Sequence, residues 1–100
     1  MLHLVNKSPF ERRALESCLR FAAKDSAILL YEDAVIAALE GTAFAEVARE
    51  MAGKYRVYAV GPDIKARGYD TNDVVPGITV VDYGGFVDVV ADNGPVQSWT

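Results

Sequence analysis

The sequence predicts a single small α/β domain over residues 1–100: an open, mainly parallel sheet of four to five strands flanked by helices. Three observations carry that prediction. Short apolar runs at Met1–Val5, Ala27–Tyr31, Tyr55–Val60 and Ile78–Val81 alternate with stretches of helical periodicity. The second run, Ala27-Ile-Leu-Leu-Tyr31, is continuously apolar, as expected of a strand buried on both faces of a parallel sheet. The first run passes straight into a turn with helix-start chemistry, the opening half of a βαβ unit.

In that first turn Ser8 and Glu11 have the spacing of a capping box, and Pro9 falls at the first helical position, where its missing N–H costs nothing. The helix that follows sets Phe10, Ala14, Leu15, Cys18, Leu19, Phe21 and Ala22 on one half. Arg12, Arg13, Glu16, Arg20 and Lys24 fall on the other. After the second strand, Asp33 is placed to cap a short helix from Ala34 to Glu40, Gly41 to stop it and Thr42 to cap the next. In that next helix Phe44, Val47, Ala48 and Met51 recur at helical spacing, with Gly53 as the expected stop and Met51 a core residue. Gly61-Pro62-Asp63 turns the third strand into a single helical stretch, Ile64 to Arg67, closed by Gly68. Residues 69–77 form the longest loop, ending in Pro76-Gly77, and are expected to offer a contact surface. Asp82 can cap a last helix, Tyr83 to Asp92, stopped by Asn93-Gly94-Pro95. Val87, Val89 and Val90 favour strand by propensity, so a hairpin is the competing reading there. The tail, Val96 to Thr100, carries Trp99, expected to anchor into a groove. The first strand is expected at the centre of the sheet.

Composition excludes several classes of function. Half of the residues, 51%, are hydrophobic, so a core can form without disulfides or metal. One cysteine excludes an internal disulfide, a CxxC redox pair and a cysteine-based zinc site. One histidine excludes a histidine cluster. The net charge of −4 argues against nucleic-acid binding by this chain alone, while leaving open a role in nucleic-acid chemistry inside a complex. No apolar run approaches the roughly 20 residues that span a bilayer. The start of the chain lacks the basic leader and cleavage site of a signal peptide, so cytoplasmic residence is expected.

In open α/β sheets, ligands bind beyond the carboxyl ends of the strands. Those ends carry Asn6-Lys7, Glu32-Asp33, Gly61–Asp63 and Asp82-Tyr83, a mostly acidic rim. Carboxylates there suit a divalent cation, but helix capping accounts for the same residues, and no metal site is assigned. Asn6-Lys-Ser-Pro lacks the glycines of a phosphate loop, and no cofactor is assigned. His3, inside the first strand, reads as a buried, hydrogen-bonded imidazole rather than a base. Arg67 reads as the partner of a carboxylate, with an anion clamp as the sharper alternative. Cys18 sits near the centre of the apolar half of its helix, nine residues past Pro9. That is about 13 Å along the axis, with the basic side chains pointing away. A reactive thiol needs a helix N-terminus or a neighbouring cation. Geometry therefore reads Cys18 as a small hydrophobe, reactive only if its face opens onto a cleft or a partner subunit.

Leu2-His3, Val5-Asn-Lys-Ser-Pro-Phe10 and Leu15-Glu-Ser-Cys-Leu19 resemble the start of proteins of the DsrH/TusB family. Leu30-Tyr-Glu-Asp33, Gly61-Pro-Asp-Ile-Lys-Ala-Arg-Gly68, Pro76-Gly-Ile78 and Val80-Val-Asp-Tyr83 extend the resemblance. So do Gly85-Phe-Val-Asp88 and Val96-Gln-Ser-Trp99, so that it covers essentially the whole chain in order. It implies the small α/β fold of the DsrE-like proteins. It implies one subunit of a heterohexamer holding two copies each of three subunits, DsrE–DsrF–DsrH or TusB–TusC–TusD, which relays sulfane sulfur as cysteine persulfide. The implied partners are DsrE/TusD-like and DsrF/TusC-like subunits, with small carriers of the DsrC-like and TusA-like kinds docking on the complex. In the DsrEFH branch the sulfur enters cytoplasmic oxidation of stored sulfur; in the TusBCD branch it reaches the 2-thiolated wobble uridine of certain tRNAs. A cysteine matching Cys18, with an unbroken Asn6-Lys-Ser-Pro-Phe10, favours the DsrH branch. In both branches the main sulfur acceptor belongs to the DsrE/TusD-type subunit. Cys18 is therefore expected to be an auxiliary persulfide site at most, and the chain a mainly structural subunit. The alternative is that Cys18 itself is an obligatory carrier.

Overall fold

Four-residue apolar segments cannot hold a structure alone; here they pair. The structure, a computed structural model, describes residues 1–10 and 13–100. Strands β1 (Leu2–Val5), β2 (Ala27–Leu30), β3 (Arg56–Val60), β4 (Ile78–Val81) and β5 (Val96–Trp99) form one sheet in the order β4-β3-β2-β1-β5. Every pair is parallel. β2 is the middle strand and is buried at all four positions, as its unbroken apolar run requires. β1, expected at the centre, lies one place over, because β2, β3 and β4 all add on one side of it and only the tail, as β5, on the other. That tail pairs Leu2 with Val96 and Val5 with Trp99.

The helices are α1 (Ala14–Phe21), α2 (Ala45–Lys54), α3 (Gly61–Ala66) and α4 (Tyr83–Asp92), with 3-10 turns at Glu32–Ala38 and Thr71–Asp73. Strand alternation sends Val5, Ile28, Leu30, Val57 and Ala59 to one face. They pack there with Leu15 and Cys18 of α1, Val35 of the 3-10 turn after β2, Ala48 and Met51 of α2, and Ile64 of α3. The opposite face sends Leu2, Ala27, Leu29 and Val60 against Val89, with Phe86 and Val90 of α4 beside them. Four helical elements thus cover one face, and α4 alone covers the other.

Several local expectations change. α1 begins at Ala14, not at Pro9, and Arg13 precedes it without a side-chain cap. Ser8 Oγ accepts instead from the N–H of Phe10 at 3.2 Å, forming a tight turn; Glu11, the other half of the expected capping box, lies outside the described residues. Asp33 caps no helix: the segment that follows β2 is the 3-10 turn, which opens at Glu32 without a side-chain cap. Gly53 does not stop α2, which continues to Lys54; an exposed helical glycine costs only about 1 kcal/mol, and the break comes where Tyr55 extends into β3. α3 starts at Gly61 rather than Ile64. The 69–77 loop is tied down, with Val75 N–H bonded to Ala38 O at 2.8 Å and Glu40 N–H to Asp73 O at 2.7 Å. The helix over Tyr83–Asp92 stands against its hairpin alternative. Asp82 Oδ1 accepts from Gly85 N–H at 2.7 Å, a cap that overrides the strand preference of the valines.

At Gly61, where β3 meets α3, an added Cβ lies 2.9 Å from Val80 Cγ1 of β4. Gly61→Ala is expected to push β4 off β3 and lower stability by about 1–3 kcal/mol. The check is a fall in the urea midpoint at unchanged slope.

Candidate functional site

Crossovers that leave adjacent strands for opposite faces open a crevice between their carboxyl ends. β3 leads to α3 on one face and β4 to α4 on the other, so the crevice lies where Asp63 and Tyr83 stand. Asp63 is buried, and both carboxylate oxygens are taken. Oδ2 accepts from the N–H of Glu32 at 2.7 Å, and Oδ1 accepts from the Tyr83 hydroxyl at 2.9 Å. Glu32 has φ +48°, a left-handed conformation unusual for a residue with a side chain, and the Asp63 carboxylate holds its N–H there. Arg67 Nε donates to Asp33 Oδ1 at 2.8 Å, and its Nη1 donates to the backbone oxygen of Asp63 at 3.2 Å. The carboxylate-partner reading of Arg67 is thereby met. The hydrogen bond from Tyr83 to Asp63, foremost among the causes, pushes the Tyr83 hydroxyl pKa above the usual value. Asp63, Tyr83, Glu32, Asp33 and Arg67 thus form a clasp across the ends of β2, β3 and β4, in which Arg67 is paired with Asp33 and the Asp63 carboxylate is taken up by hydrogen bonds. Among the described residues no group of three or more His, Cys, Asp or Glu side chains stands ready for a metal ion.

Cys18 is remote from this clasp by element. It is the fifth residue of α1, about 6 Å from the helix start, closer than the expected 13 Å because the helix begins later. The thiol is nonetheless fully buried in the core beneath α1. Burial pushes its pKa up to about 12. Desolvation of the thiolate therefore outweighs any help from the nearby helix start. A groove between α1 and α2 is lined by Pro9, Leu15, Leu19, Phe44 and Val47 among others; Cys18 faces the sheet instead.

His3 is buried on β1, and its Nδ1 accepts from Trp99 Nε1 at 3.1 Å. The neutral ring therefore carries its proton on Nε2. Trp99, half-buried, reaches the core through β5 pairing and lies 6.0 Å from the Phe21 ring. The expected anchor groove is thus intramolecular, between β1 and the end of α1. Burial first, and the N-terminal charge second, lower the His3 pKa from its usual value.

Sequence reasoning marked the strand ends but not the clasp, because Asp63 meets groups 20 and 31 residues away along the chain. Tyr83 carried no signal beyond its place after Asp82.

Two outcomes follow for these groups. With a thiol pKa near 12, about one molecule in ten thousand carries the thiolate at pH 8. A thiol reagent is expected to leave the native chain unlabelled and to label it at once in denaturant. His3 has a folded pKa below its unfolded one, so the stability it contributes is present above about pH 6.5 and is lost as pH falls from there through the lower folded value. Thermal melts from pH 7 down to pH 5 should show falling stability. His3→Asn, which keeps an acceptor for Trp99, should flatten that slope.

The family described as DsrH like protein matches residues 7–96. Protein TusB of Erwinia tasmaniensis is 35% identical over 99 residues, spanning 99% of this chain and 100% of that protein. Protein TusB of Escherichia coli O1:K1 is 30% identical over 102 residues, again spanning 99% and 100%. Among solved structures, the YchN protein of Escherichia coli superposes with a TM-score of 0.82 over 98% of this chain and 97% of that one. Its sequence identity is 18%, a likeness of fold alone.

Proposed function

The chain belongs to the DsrH family, and on that premise we propose that it is a subunit of a cytoplasmic sulfur-relay complex, shaping its partners rather than carrying sulfur on its own thiol. The family match over residues 7–96 supports the first half of this reading. The complete burial of Cys18 supports the second. A cysteine accepts sulfane sulfur when its thiolate attacks the outer sulfur of a donor persulfide. A new S–S bond forms and the donor thiolate leaves. A thiol with no exposed surface and a pKa near 12 meets neither requirement, access or ionisation. Cys18 therefore acts as a packing residue of α1.

The partners in this reading are DsrE/TusD-like and DsrF/TusC-like subunits, two copies of each in a heterohexamer, with DsrC-like and TusA-like carriers docking on the assembly. Oxidation of stored sulfur is the destination favoured by the Asn6–Phe10 turn and by a cysteine at position 18. The second reading, 2-thiolation of tRNA wobble uridine, is favoured by the name Protein TusB, borne by relatives that match over their whole length. In that case the net charge of −4 leaves tRNA contact to other subunits.

Deleting the gene tests both destinations in one strain. Loss of stored-sulfur oxidation with normal levels of 2-thiouridine nucleosides supports the first; the reverse pattern supports the second and displaces the first. In the reconstituted complex, Cys18→Ala is expected to keep sulfur transfer within about threefold of wild type, while omission of the chain abolishes it. Transfer that stops in Cys18→Ala with assembly intact overturns the structural role.

A further inference from the structure

The α4 side of the sheet is under-covered. The two edge strands lie about 19 Å apart at four strand spacings, and one helix is about 10 Å across. Thr79 of β4 and Val96 and Ser98 of β5, which the strand registers place on this face, are exposed. α4 itself reads Tyr83-Gly-Gly-Phe-Val-Asp-Val-Val-Ala-Asp92, apolar nearly all round, a pattern that belongs to helices buried on both sides. Its inner side meets the sheet through Phe86, Val89 and Val90. Its outer side leaves Tyr83 59% and Val87 64% exposed.

The charge carried by α4 has one sign. Residues 82–92 contain three aspartates, Asp82, Asp88 and Asp92, and no Lys, Arg, His or Glu, and these flank the exposed apolar stripe of the helix. Arg56, at the start of β3, is the one cation that a strand among the described residues directs to this face, and its guanidinium turns to Asp25 O at 3.3 Å. Two copies meeting through α4 would set these aspartates against one another. A nucleic acid would meet the same repulsion.

Resting on the sulfur-relay reading, we infer that the outer face of α4 docks a different subunit of the complex, one presenting an apolar surface rimmed by Lys and Arg. Tyr83 and Val87 supply the apolar contact, and Asp88 and Asp92 set register and select against self-association.

The test co-expresses the full chain with the DsrE/TusD-like and DsrF/TusC-like subunits of the same organism and follows assembly by native mass spectrometry and by titration at low and high salt. Val87→Glu and the double variant Asp88→Lys with Asp92→Lys are each expected to weaken assembly about tenfold or more. Salt should weaken the wild-type complex, and Glu46→Lys, on an exposed position of α2, should leave it unchanged. The double variant touches only exposed side chains, so it remains informative if Val87→Glu does not fold. Assembly of both α4 variants at wild-type strength overturns the assignment of this face while leaving the relay reading in place. A wild-type chain that joins neither subunit overturns the relay reading, and the assignment with it. A homodimer of the chain alone, lost in the α4 variants, overturns the heterologous partner.

Discussion

Right-handedness of the crossovers between parallel strands is the constraint on which the rest of this structure depends. From β1 to β4 the chain steps across the sheet in one direction, which puts α1, α2 and α3 on one face. The return from β4 at one edge to β5 at the other runs in the opposite direction, so α4 must cross the second face. The crevice between the carboxyl ends of β3 and β4 follows from that single reversal, as does the unequal covering of the two faces. The Asp63–Tyr83 hydrogen bond is where the chain ties the reversal together, joining a residue of α3 to one of α4 across the gap.

The same layering decides the chemistry of the lone cysteine. α1 lies on the well-covered face, so a residue on its inner half is enclosed by the sheet and by the other helical elements. A thiol placed there gains packing contacts and loses the solvation its anion needs. In the relay we propose, the reactive sulfur chemistry falls to partner subunits, and this chain contributes surfaces. Its unequal faces suit that division: one builds a dry core, and the other leaves an acidic, partly apolar helix outward.

Much of the fold was legible because local signals agreed with the final topology. The unbroken apolar run of β2 announced a strand buried on both faces. Asp82 announced α4 even though three valines spoke for strand. Where the sequence misled, a distant contact decided. Val96-Gln-Ser-Trp99 has two adjacent polar residues, neither an apolar run nor an alternation, so it does not announce a strand, and it becomes one by pairing with the other end of the chain. The segment after β2 tightens into a 3-10 turn, held at one end by Asp63 on the Glu32 N–H and at the other by the Leu39–Val74 bridge. The burial of Ala14, Leu15 and Cys18 was legible from the apolar wheel. Phe10, however, lies before the helix, and both Phe10 and Phe21 are exposed, because α1 starts later than its capping residues suggested and ends at the rim of the sheet. The clasp at the strand ends was legible only as a row of acidic and aromatic residues, since its pairings join parts of the chain far apart.

We propose that this chain serves a sulfur relay without itself carrying the sulfur. Intact-mass measurement of every subunit, after the assembled complex has been loaded from a sulfur donor, tests it most directly. A gain of one sulfur atom is expected on a partner subunit and none on this chain. A sulfur atom gained by this chain, and lost again in Cys18→Ala, would contradict it.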